Sequence, residues 1–377
     1  MDDNSENHSN IPNKVILGMF VILVFLSSLN GIIGVLTVGR PSSSDPVFHQ
    51  KLAEGWLNGD FPLLNEKYFL FGGPYPPAFH LTIAILSKIF FTSPLTIMNL
   101  FQIFLFPLIL LSTFYLVAKS TDLYTAFLSI SFLLTSTGFQ DRASQVIPQA
   151  FDILLFPIAI YFFMKKRKKE FIIISVFLIY NHGIYPILIL TSLLIYSMRY
   201  EGERRKEFFK IAVYSLPLFL IMSPFLISAS APATLINSAQ KDLFFNKSFY
   251  GVFYFSYFLF AATAISLYYI RNKNRTEFEN ILILWSLSLI PLFPFFPDRF
   301  VSYVVQPVAI LNGIVFGRIF IKKRTNSIFL FFMFLVAILH IGIIFTLFHK
   351  DIQVWKMNEI AQIYVNLPLT ILTRVFG

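Results

Sequence analysis

Two histidines and four carboxylates fall within one polar stretch near the start of the chain. Residues Ser44–His80 read SDPVFHQKLAEGWLNGDFPLLNEKYFLFGGPYPPAFH and hold Asp45, His49, Glu54, Asp60, Glu66 and His80. A carboxylate can act as general base toward a hydroxyl or hold a divalent cation such as Mg²⁺ or Mn²⁺, and an imidazole can move a proton near neutral pH. Asp45 and His49 stand one helical turn apart if the chain is helical after Pro46. Asp45 then either caps that helix or serves as base or metal ligand beside His49. Glu66 is the candidate for a second carboxylate. Glu54 and Lys51 read as solvated helix surface, and Asp60, in Asn-Gly-Asp, as a turn residue.

Tyr75-Pro76-Pro77 makes a rigid entry to the next apolar segment, because neither proline lets a helix begin before it is passed. Tyr75 and His80, one turn beyond, can meet a phosphate or a sugar. The competing reading of His80 is a buried imidazole bonded to a carbonyl. Further along, Asp141 and Arg142 either pair with each other or offer a guanidinium to a phosphate. His182 lies between two apolar arms, where an ionisable group is a functional candidate. Arg299 follows Asp298 after three prolines, and either anchors a lipid phosphate or closes a local ion pair.

The elements that must position these groups are greasy. Of 377 residues 56% are hydrophobic and 18% aromatic, while 13% are charged. A soluble domain carries about 25% charged residues, so this chain lacks the polar surface of a water-soluble globule. With no cysteine, disulfides and thiolate chemistry are excluded. The net charge of +10 has an explanation in membrane topology and does not call for nucleic acid. Val15–Val38 is too long for the core of a signal peptide and is expected to be the first transmembrane helix. Apolar segments follow at Ala78–Phe91, Leu95–Ala118, Leu123–Thr137, Ala150–Met164, Phe171–Tyr180, Ile184–Met198, Phe208–Ser228, Phe249–Ile270, Ile281–Phe296, Val301–Phe320 and Ile328–Phe348.

Lys165–Lys169, Arg199–Lys210, Arg271–Arg275 and Arg318–Arg324 carry 17 of the 30 Lys and Arg. Short loops so basic stay on the cytoplasmic side. Residues 1–14 are then a cytoplasmic tail, 39–77 the first outer loop and 350–377 an outer C-terminal segment of a single membrane domain. Keeping Lys165–Lys169 inside requires that one of Ala78–Phe91, Leu95–Ala118 and Leu123–Thr137 not cross; Ala78–Phe91, the shortest and bounded by Pro77 and Pro94, is read as the re-entrant or partial one. Asp45, Asp141, Arg142, His182 and Arg299 all gather on the outer face. No Gly-rich nucleotide loop, zinc-spaced His pair or Gly-x-Ser-x-Gly elbow is present.

Asp45-Pro46-Val47-Phe48-His49 after a first transmembrane helix resembles the first-loop acidic motif of GT-C-type glycosyltransferases, and archaeal oligosaccharyltransferase catalytic subunits in particular. Tyr75-Pro76-Pro77 resembles the Tyr-Pro-Pro that opens the next membrane segment in several of those families. The likeness covers residues 15–90 in its motifs and the rest in architecture only. It implies a multi-pass plasma-membrane enzyme, inverting, that takes a sugar from a polyprenyl-phosphate donor and passes it to a lipid or glycan acceptor outside the membrane. By the same resemblance Asp45 is the base or the ligand of a divalent cation, and Arg299 holds the lipid phosphate. The Trp-Trp-Asp-Tyr-Gly motif and the soluble domain that carries it are absent, which argues against protein N-glycosylation. The acids do not form a clean Asp-x-Asp, so metal dependence stays open. The expected fold is all-α, a GT-C-like bundle of about eleven spanning helices and one partial one. Rival functions are a transporter or flippase of lipid-linked sugars, which would distribute polar groups along the midplane, and a glycan polymerase or ligase.

Overall fold

The computed structural model describes residues 11–38, 44–65, 67, 75–182, 184–200, 204–227, 256–271, 275–292, 297–321 and 326–350. The described chain is helical, without a strand. Its helices are α1 (Asn13–Val38), α2 (Ser44–Leu57), α3 (Ala78–Ile89), α4 (Pro94–Ser120), α5 (Leu123–Leu134), α6 (Thr137–Ser144) and α7 (Pro148–Met164), then α8 (Lys168–His182), α9 (Ile184–Tyr200), α10 (Arg205–Ile227), α11 (Tyr257–Arg271), α12 (Glu277–Ser288), α13 (Pro297–Phe320) and α14 (Asn326–Lys350). Among the described residues three helices are long and apolar enough to cross a membrane: Asn13–Ile33, Pro94–Ser120 and Phe300–Phe320. The bent pair α6–α7 makes a fourth if counted as one span, with 105° between its halves. Large apolar side chains such as Val21, Phe25, Phe104 and Phe331 lie exposed on the outer helices, as contact with lipid tails allows.

Polar caps start the inner helices. Ser93 Oγ accepts from Thr96 N at the head of α4, where Pro94 supplies a fixed φ, and Asp122 takes both the N–H and the hydroxyl of Thr125 at the head of α5. In α12, Thr276 and Glu279 form a reciprocal capping box. Glu279 is buried and also accepts from Arg318 Nη1 at 2.6 Å, which ties α12 to α13. These bonds satisfy helix-end groups that have no partner within the helix itself.

The centre of the bundle is α13 laid against α5. Gly313 and Gly317 stand one turn apart on α13 and meet Ser129 and Thr125 one turn apart on α5. A Cβ at Gly313 would come within 2.7 Å of the Ser129 backbone nitrogen, so the two backbones approach as only glycine permits. Gly31 of α1 packs in the same manner on the Gln102 carbonyl of α4. Gln306 of α13 reaches two more helices. Its Nε2 donates to Thr113 Oγ1 of α4 at 2.8 Å and to the Ile153 carbonyl of α7 at 3.1 Å.

Several expected boundaries shift. The polar stretch after α1 begins as helix, because Pro46 loses nothing in a first turn whose N–H groups are unpaired anyway. That helix stops where Gly59 adopts φ +79°. Asp45 therefore lies inside the first turn of α2 rather than before it. Segment 138–149, expected as an outer connection, contains α6 and the sharp turn into α7. Asp298 and Arg299 lie in the first turn of α13, opened by Pro297. α3 has 12 residues, about 18 Å at 1.5 Å per residue, too short to cross. α5 is as short, and buried along nearly its whole length, so it lies inside the bundle rather than on its lipid-facing side. Segment 229–248 and residues 351–377 lie outside the described residues.

Candidate functional site

Four of the expected site residues, His49, Tyr75, His80 and His182, form one cluster where α2, α3 and α8 meet. His80, in the first turn of α3, faces the carbonyl of Pro76 with Nδ1 at 3.2 Å and His49 Nδ1 with Nε2 at 2.9 Å. A carbonyl only accepts, so His80 Nδ1 carries the proton, its Nε2 accepts, and His49 Nδ1–H donates to it. Burial holds His80 neutral, with its pKa pushed down to about 3, the Pro76 hydrogen bond opposing weakly. His80 is thus the buried imidazole bonded to a carbonyl, and through its other nitrogen it fixes the tautomer of His49. Tyr75 links this pair to the next one. Its ring centroid lies 5.1 Å from that of His49, edge-on, and 6.2 Å from that of His182, stacked.

His182 closes α8 beside a buried acid that sequence reading passed over. Asp152, in the second turn of α7, is fully buried. Its Oδ1 accepts from Asn181 Nδ2 at 2.7 Å, and its Oδ2 from the Tyr303 hydroxyl of α13 at 2.7 Å. His182 Nδ1 lies 3.2 Å from Oδ2 and 2.6 Å from the Tyr303 oxygen. Asn181 also donates to the Pro148 carbonyl at 2.7 Å, which pins the end of α8 to the start of α7. The ring of Tyr185 stacks on both His182 and Tyr303. Three helices thus contribute to one dry carboxylate, and such a group persists in the interior only when donors meet both its oxygens.

Three further expected residues lie at the edges of this description. Glu66 is outside the described residues. Of Asp45 and Arg299 the backbone alone is described. Asp45 precedes His49 by one turn of α2, and Arg299 precedes Tyr303 by one turn of α13, so each shares a helix face with a member of the cluster. Asp141 and Arg142 are half-buried on α6, and Asp141 accepts from Gln145 Nε2 at 3.0 Å. Their place is the helix that turns into α7. For a divalent cation the described donors do not complete a set. Among the described residues no three His, Asp or Glu side chains converge, and His80 has given both nitrogens to other partners. No step below passes through a metal.

Asp152, Tyr303 and Gln306 went unread because each lies inside an apolar run, and Asn181 because it stands beside His182. For Asp152 a signal existed: a single acid inside Ala150–Met164 is costly in a membrane segment and marks a working site as His182 did.

No protein-family model and no curated protein matches the sequence. Solved structures do match. ArnT from Cupriavidus metallidurans bound to undecaprenyl phosphate aligns over 89% of this chain and 73% of its own, with 13% identity and a TM-score of 0.56. The Archaeoglobus fulgidus oligosaccharyltransferase, tethered with an acceptor peptide, aligns over 88% of this chain at 14% identity and a TM-score of 0.54. This chain spans 55% of that larger protein. Both are GT-C glycosyltransferases. At such identity the likeness is one of fold, and it meets the expectation raised by the first-loop motif: the protein is a helical membrane protein with a GT-C-like fold.

Proposed function

We propose that the protein is a membrane glycosyltransferase of about eleven spans that takes a sugar from a polyprenyl-phosphate-linked donor and passes it, with inversion, to a lipid or glycan acceptor. Its site faces the outer side of the plasma membrane, with the N-terminus in the cytoplasm. The observation that carries the reading is the meeting of His49, Tyr75, His80, His182 and Asp152 on a GT-C-like scaffold. Asp45 and His49, on one face of α2, orient the acceptor hydroxyl, and Glu66 is a second carboxylate for that task. Arg299, one turn beyond Tyr303, and Arg142 steady the departing lipid phosphate, whose charge a guanidinium matches in bidentate fashion. Stabilising that leaving group supplies much of the rate. A divalent cation at Asp45 belongs to the proposal as an accessory.

The test is turnover in liposomes of undecaprenyl-phosphate-linked hexoses and pentoses, followed by release of undecaprenyl phosphate. Wild type is expected to release the carrier, and Asp45→Asn to do so at least about tenfold more slowly. Release unaffected by Asp45→Asn removes Asp45 from the chemistry, and no release with any donor sinks the transferase reading.

A further inference from the structure

We propose that the ends of α4 and α7 remote from the histidine cluster form a binding site for the phosphate of an anionic phospholipid, built from Tyr115, Lys119, Tyr161, Lys165 and Arg167. Each helix carries a tyrosine followed one turn later by a lysine: Tyr115 and Lys119 on α4, Tyr161 and Lys165 at the end of α7. Residues four apart share a helix face. The two helices end side by side, where Ser120 Oγ reaches the Met164 sulfur at 4.0 Å. The tyrosine rings meet edge-on at 5.2 Å, and the Tyr115 hydroxyl donates to the Tyr161 oxygen at 3.4 Å. Lys119 Nζ stands 5.9 Å from the Tyr115 ring centroid. The charges of Lys119 and Arg167 both act on the Tyr115 hydroxyl, so two cations and two phenols converge.

At 3.4 Å the phenols hold each other weakly, since a good O–H···O bond is shorter. A phosphate oxygen is a stronger acceptor for both protons, and its charge attracts the ammonium and guanidinium groups. The surroundings are basic. Residues 165–169 are five successive exposed cations, and acids answer two of them. Glu170 meets Arg167 Nε at 3.5 Å, and Glu207 meets Lys168 Nζ at 3.9 Å. The Arg167 guanidinium has further N–H groups for a phosphate. Among the described residues Lys119 and Lys165 have no acidic partner.

The approach to this site is from lipid. Phe104, Leu108, Leu111 and Tyr115 follow one another at helical spacing on α4 and are 55%, 41%, 43% and 48% exposed. That apolar stripe ends at the phenols. An acyl chain lies along it while the phosphate reaches the tyrosines and lysines, at the depth where such side chains meet headgroups. Lys and Arg clusters beside a span attract anionic headgroups, and the phenol pair adds directional contacts that bare charge lacks. Tyr161 lies nine residues beyond Asp152 on α7, about 14 Å along the axis. A carrier phosphate held here is out of reach of the histidine cluster, so the occupant is bulk phospholipid. Bound there, its headgroup ties α4 to the helix that carries Asp152.

Thermal unfolding of the purified full-length protein in dodecylmaltoside, with phosphatidylglycerol or phosphatidylcholine added, tests the site without any sugar donor. Phosphatidylglycerol is expected to raise the wild-type midpoint by about 3–6 °C. Phosphatidylcholine, whose own ammonium opposes the lysines, raises it far less. Tyr115→Phe with Tyr161→Phe keeps every charge and both rings, and is expected to increase the half-saturating mole fraction of phosphatidylglycerol about tenfold. Lys119→Gln with Lys165→Gln weakens binding at least as much. Lys206→Gln with Lys210→Gln, an equal loss of charge on α10, leaves it unchanged. A midpoint that responds equally to both lipids overturns the proposal. So does a phenylalanine pair that binds like wild type, which reduces the patch to diffuse attraction. If undecaprenyl phosphate raises the midpoint through the two tyrosines and phosphatidylglycerol does not, the site belongs to the carrier instead.

Discussion

Gln306 donates its side-chain amide to the carbonyl of Ile153 at 3.1 Å, and that carbonyl is the one Pro157 leaves without a helical donor. Proline has no N–H to give its fourth predecessor, and in a bilayer interior an unpaired carbonyl is costly. α13 supplies the missing donor from outside α7, while the same nitrogen also reaches Thr113 of α4. One amide thus joins three helices at a break in one of them.

Replacing Gln306 by Leu leaves the Ile153 carbonyl without its donor and is expected to cost about 1–2 kcal/mol. Chemical unfolding of the purified protein in mixed detergent micelles measures it. A midpoint equal to that of wild type would mean that another group satisfies this carbonyl.

Gly313→Ala is expected to destabilise by about 1–3 kcal/mol, since the added methyl drives α13 off α5. Gly342 on α14 has nothing within 4 Å of a built Cβ, so Gly342→Ala should leave stability unchanged or raise it by up to about 1 kcal/mol. Equal midpoints for the two variants would remove the close approach at Ser129 as the cause.

His80 gives the protein an acid-sensitive joint. Its folded pKa, lowered to about 3 from the ordinary 6.5, means that the unfolded chain binds the extra proton through the window between those values. Stability therefore rises with pH across that window and falls on acidification through it, by on the order of 2 kcal/mol between pH 7 and pH 5. His80→Gln should flatten the slope of stability against pH between 4 and 6.5. A slope unchanged by the substitution would assign it to other groups.

Arg299→Lys is expected to weaken the binding of undecaprenyl phosphate about tenfold, some 1.4 kcal/mol, because a lysine cannot match two phosphate oxygens with a planar fork. Calorimetric or fluorescence titration in nanodiscs checks it. Affinity unaltered by both Arg299→Lys and Arg299→Gln would place the phosphate elsewhere.

What could be read from the sequence was what chain-local chemistry determines. Composition and basic loops carry the helical membrane class, and Tyr75-Pro76-Pro77 with Asp45 and His49 carries the GT-C likeness. His49 was legible from its place four residues after Asp45 in a polar stretch, and Tyr75, His80 and His182 because each stands at the edge of an apolar run, where a polar group is conspicuous. Asp152 and Tyr303 sit inside such runs, and their meaning comes from partners 30 and 121 residues away from His182 in the chain. Helix α5 is shorter than its apolar run, Leu123–Thr137, because Ser136 caps the next helix instead of continuing this one. The bend of α6 into α7 follows from Pro148 at a helix start, a local signal that looked like an ordinary loop.

The packing of α13 has a practical consequence for anyone who wishes to label this protein. Tyr303, Gln306, Gly313, Gly317 and Arg318 engage neighbours along most of that one helix, so a cysteine or a bulky reporter placed there would disturb whatever it was meant to observe. Spectroscopic probes belong on Gly18 of α1 or Gly342 of α14, where a new side chain meets open space; and since the chain has no native cysteine, a thiol introduced at either position would be modified alone.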